Sequence, residues 1–133
     1  MKKVCILLFL AATASAATCT PPKSMANNMV PNSPLLKFDC EKTKTLQDAY
    51  RKQLIKPRWT EVYTGKANSQ TAQVTGPIFK ALKDKGFKLD KQERTNTTLE
   101  FIFRKGKVVL GGELVIVTVI VNPGEYVLAM AGR

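Results

Sequence analysis

A chain of 133 residues with 21 lysines and arginines against 10 acidic residues carries a formal net charge of +11 and contains no histidine. The missing imidazole excludes Ser-His-Asp and Cys-His nucleophiles, histidine general acid–base pairs and zinc sites built on imidazole. The length fits one ordinary domain, and so positive a balance favours attraction to polyanions.

The N-terminus has three zones. Lys2 and Lys3 give a positive start, Val4 to Ala12 is apolar, and Ala14-Ser15-Ala16 is a small-residue cleavage pattern. This is the layout of a bacterial-type secretory signal peptide, and the apolar run falls short of the about 20 residues that a spanning helix needs. Residues 1–16 are therefore expected to be removed, leaving a secreted or periplasmic protein whose formal charge falls from +11 to +9 with the loss of Lys2 and Lys3. A lipoprotein acylated on Cys19 fits less well, because Thr18 stands where a small Gly or Ala is wanted. Cleavage also removes Cys5, so Cys19 and Cys40 have one intramolecular pairing open to them. Closing that loop is worth roughly 3 kcal/mol through the unfolded state. The absence of C-x-x-C spacing argues against a redox role.

Residues 17–42 hold Pro21, Pro22, Pro31 and Pro34 and few apolar side chains, and read as an N-terminal arm pinned by the disulfide. Residues 43–133 read as the folded domain. Thr45, with Asp48 three residues on, suggests the start of a helix that places Leu46, Tyr50 and Leu54 on one face and stops at Pro57. Trp59 to Tyr63 reads as a strand, and Gly65 to Gly76 as a loop or a loose strand around Val74. Gly76-Pro77 is expected to open a second helix, with Ile78, Phe79 and Leu82 facing inward and Gly86 as its left-handed cap.

The remainder is β. Phe87 to Arg94, the alternating Leu99, Phe101 and Phe103, the run Leu114–Val121, and Tyr126 to Ala131 make four strands. Thr95-Asn96, Lys105-Gly106 and Asn122-Pro123-Gly124 supply turns, and Gly111-Gly112 a bulge or bend. The expected fold is a single small α+β domain. Two helices pack on a mainly antiparallel sheet of four to five strands that ends in a β-meander. Leu114–Val121 is apolar on both faces, which predicts a central strand covered by a helix on one side and the N-terminal segment on the other, or else by a second subunit.

Three groups of basic residues stand apart along the chain: Lys80, Lys83, Lys85, Lys88 and Lys91; Arg51, Lys52, Lys56 and Arg58; and Arg104, Lys105 and Lys107. Sequence order does not say whether they meet. They are not interleaved with a regular set of aromatics, so no base-stacking platform or sequence-specific nucleic-acid recognition is signalled. No phosphate-cradling loop, paired catalytic carboxylates, cofactor motif or metal-ligand spacing is present, and the expectation is a protein that is not an enzyme. Asn96-Thr97-Thr98 matches the glycosylation pattern, which matters only in a eukaryotic source. The Q-x-V-x-G hairpin of cystatin-like inhibitors is not matched, since Gln73-Val74-Thr75-Gly76 has another spacing and precedes the second helix instead of following it.

The functional expectation is an exported binding module that docks an anionic polymer or membrane surface through Lys80, Lys83, Lys85, Lys88 and Lys91. The alternative is an envelope assembly protein that meets a protein partner, or a second copy, through Leu114, Ile116 and Ile120 or a sheet edge.

Overall fold

The computed structural model describes residues 19–54, 56–66, 71–106 and 112–133. In chain order its elements are α1 (Met25–Asn28), β1 (Lys37–Phe38), α2 (Cys40–Lys52), β2 (Trp59–Lys66), α3 (Thr71–Asp84), β3 (Lys88–Arg94), β4 (Thr98–Lys105), β5 (Glu113–Asn122) and β6 (Glu125–Gly132). The expected leader, Lys107 of the third basic group and Gly111 of the expected bulge lie outside the described residues. The α+β class and the β3-β4-β5-β6 meander agree with the sequence reading. Among the described residues the antiparallel sheet has six strands, in the order β1-β2-β6-β5-β4-β3, because β2 returns to pair with β6 and the short β1 pairs with β2.

Both long helices begin earlier than their sequence signals suggest. Asp39, not Thr45, caps α2, its Oδ1 accepting the Lys42 N–H at 2.9 Å. Thr45 lies inside the helix, where its hydroxyl donates to the Glu41 carbonyl. α3 starts at Thr71 and carries Pro77 within it. That proline removes one helical donor on the exposed side of the helix, where the Gln73 carbonyl it forsakes can meet water. Burial of Val74, Ile78 and Leu82, each 1% exposed or less, offsets the loss. The end of α3 is as expected: Gly86 has φ +96°, and Phe87 N–H donates to Leu82 O at 3.0 Å.

One face of the sheet holds the core. Val115, Val117 and Val119 on β5, Phe101 and Phe103 on β4, and Leu128 and Met130 on β6 pack under α3. Phe79 of α3 meets Phe101 and Phe103 with ring centroids 4.7 and 5.0 Å apart. The N-terminal segment packs on this same face, not on the opposite one. Met25, Ala26 and Val30 are buried to 1% exposure or less, so the supposed arm is part of the core.

Glu61 explains how. Ala26, Asn27 and Asn28 all have positive φ (51°, 53° and 68°), which turns successive backbone N–H groups toward one point. The Glu61 carboxylate occupies that point, accepting from Ala26 N–H at 2.8 Å, Asn27 N–H at 2.6 Å and the Tyr63 hydroxyl at 2.8 Å. The Cys19–Cys40 disulfide, with Cα atoms 5.8 Å apart, ties the same segment to the start of α2.

The other sheet face is only partly covered. The end of α2 reaches it through Tyr50, whose phenol is raised above its ordinary pKa by burial and by the charge of Glu100. Leu114, Ile116 and Ile120 there are half-buried.

Candidate functional site

Strand register assembles a basic row that no stretch of sequence displays. Lys88 lies opposite Arg104, and Arg104 opposite Leu114. Leu114 and Arg133 exchange two backbone hydrogen bonds of 2.8 and 3.0 Å, and Arg58 N–H donates to Gly132 O at 2.8 Å. Lys88, Arg104, Leu114 and Arg133 therefore stand side by side across four neighbouring chain segments, and Arg58, bonded to Gly132 from the segment before β2, borders them on the fifth. At about 4.8 Å per strand the row spans roughly 19 Å. Alternation along the strands puts Arg104 and Leu114 on the face that carries Ile116, and Arg133 lines a hollow with Leu114, Ile116 and Ala131.

The end of α2 and the segment after it close over one side of the row. Two adjoining hollows of about 570 and 280 Å³ share Tyr50, Lys56 and Pro57. Arg51, Leu54 and Arg58 line the first, and Leu114, Ile116 and Arg133 the second; no aspartate or glutamate side chain lines either. Asp90 is engaged by Arg104 at 2.6 Å. Among the described residues no carboxylate pairs with Arg51, Lys56, Arg58, Lys88 or Arg133. The hollows thus combine cationic side chains with apolar walls, while the charge of Glu100 reaches Tyr50 from the neighbouring strand.

The five lysines singled out in the sequence do not form one face. Lys80 and Lys83 rise from α3 on the core side of the sheet, bordering a separate groove of about 530 Å³ floored by Phe79, Phe87 and Leu89. Lys105 joins them, its Nζ 5.8 Å from the Phe87 ring. Lys85 sits exposed in the turn after α3. Lys91 lies opposite Ile102 and is held by Glu93 at 2.8 Å, a hydrogen bond and charge that raise its pKa. Lys88 alone of the five pairs with Arg104 in the row, and it also lines the α3 groove. Arg58 and Arg104 were visible as members of basic groups, but Arg133 carried no sequence signal because only its pairing with Leu114 places it.

Leu114, Ile116 and Ile120 do share one sheet face. β5 lies between β4 and β6, so it offers a partner that face and not a free edge. Among the described residues no three His, Cys, Asp or Glu side chains gather into a metal-binding group, and no helix is long and apolar enough to cross a membrane. Comparison with protein-family models, curated proteins and solved structures finds no match.

Proposed function

We propose that this chain is an exported, non-enzymatic binding module that docks an anionic surface or polymer. The observation that carries the reading is the alignment of Lys88, Arg104, Arg133 and Arg58, drawn from separate parts of the sequence, in one row beside Arg51 and Lys56. Long-range attraction of this kind gathers polyanions without a shaped pocket. Export is supported by the leader-like residues 1–16 and by the Cys19–Cys40 disulfide, which fits an oxidising compartment.

The test is retention on heparin across a salt gradient. Retention at low salt that falls steeply as salt rises is expected, with a smaller slope for the triple variant Lys88→Ala, Arg58→Ala, Arg133→Ala. The double variant Lys80→Ala, Lys83→Ala is expected to elute closer to wild type. A wild-type protein that passes through unretained, or a triple variant that elutes unchanged, overturns the reading.

A second reading is favoured by the half-buried Leu114, Ile116 and Ile120, which an assembly partner could cover. Such an association would survive high salt, because apolar burial drives it. Sedimentation at high salt separates the two: a monomer there removes the assembly reading.

A further inference from the structure

Leu54 is placed against its own interests. It follows the last turn of α2, donating its N–H to Arg51 O at 3.2 Å, and has φ +61°, the left-handed position after a helix that glycine or asparagine takes at least cost. Burial does not offset that cost, since Leu54 is 87% exposed. Arg51, Lys56 and Arg58 share its hollow with Tyr50 and the half-buried Trp59. An exposed apolar side chain that shares a hollow with cations and aromatic residues matches an anionic bilayer: lipid headgroups meet the cations while the leucine enters the acyl boundary.

We infer that Leu54 is a membrane wedge, inserting into an anionic phospholipid surface to which Arg51, Lys56 and Arg58 bring it. The inference rests on the reading of the basic row as an anion-binding surface and adds an apolar contact to it. Charge alone would attract polymer and bilayer alike; the wedge distinguishes them, because only a bilayer has an interior to receive it.

The experiment compares the protein with its Leu54→Asn and Leu54→Trp variants in co-sedimentation with phosphatidylcholine vesicles, with and without phosphatidylglycerol, alongside heparin elution. Asparagine suits the left-handed backbone and leaves the charge unchanged, so the variant folds and its electrostatics persist. The wild type is expected to sediment with the phosphatidylglycerol vesicles only. Leu54→Asn should lower partitioning about tenfold, Leu54→Trp should raise it, and both should elute from heparin as the wild type does. Equal partitioning of wild type and Leu54→Asn, with heparin retention intact, overturns the wedge and leaves the anion-binding reading standing. Heparin retention without any vesicle binding has the same consequence. Loss of both heparin and vesicle binding in the wild type overturns the two together.

Discussion

The indole of Trp59 occupies the space beside Gly132, its partner across β2 and β6, so closely that a Cβ on Gly132 would overlap ring atoms Cε2, Nε1 and Cζ2. The absence of a side chain at 132 is therefore what lets the single tryptophan close the end of the sheet next to Arg58 and Arg133. Gly132→Ala should displace the indole and destabilise the fold by about 2 kcal/mol. Urea unfolding followed by tryptophan fluorescence checks this, with a lower midpoint and an altered native emission as the expected result.

Glu61 anchors the N-terminal segment through one carboxylate. Glu61→Ala would leave the Ala26 and Asn27 N–H groups and the Tyr63 hydroxyl without their acceptor. The expected cost is roughly 3 kcal/mol, since unsatisfied buried donors lose their desolvation energy in full. Glu61→Gln keeps an acceptor and should cost less. Amide exchange localises the effect: protection should fall first at Ala26 and Asn27, whereas uniform loss over the sheet would contradict an anchoring role.

The disulfide closes a loop between residues 21 positions apart. Replacing both Cys19 and Cys40 by serine should lower stability by about 3 kcal/mol. Reductant should then leave the midpoint of that variant unchanged while lowering that of the wild type to a similar value.

Alkaline pH should unfold the protein through its buried phenols. Burial, then the neighbouring Glu61, holds the Tyr63 phenol far above its ordinary range, and burial pushes Tyr126 up to about 12. Both groups bind their protons more tightly in the folded state. Their contribution is intact below the ordinary phenol value of 10, and is lost as pH climbs from there through the folded values. Tyr126 hydroxyl is also buried with no hydrogen-bond partner of acceptable geometry among the described residues, although the Thr71 side chain is near. Tyr126→Phe should therefore be neutral or stabilising by about 1 kcal/mol at neutral pH, and should make the decline between pH 10 and 12 shallower. Urea midpoints measured from neutral to alkaline pH test both parts.

Much of this architecture can be read from local pattern. Leu99, Phe101 and Phe103 alternate because a strand has period two, and Gly86 and Gly124 mark turns where φ is positive. The helix starts were less legible. Gly76-Pro77 is a strong local signal, but the burial of Val74 extends α3 past it, and packing outweighs a single proline on an exposed side. The N-terminal segment looked loose because its anchor, Glu61, lies 35 residues from Ala26 and resembles any surface acid in a linear reading.

The sequence by itself determined the excess of positive charge, the lack of imidazole chemistry, the pair of cysteines and the α+β order of elements. These follow from composition and from periodicities that span a few residues. Only the tertiary structure decided where the charge gathers. Strand register is a long-range choice, set by which apolar faces must meet in the core. That choice brings Lys88, Arg104, Arg133 and Arg58 into line, and it sends Lys80 and Lys83 to the opposite side of the sheet.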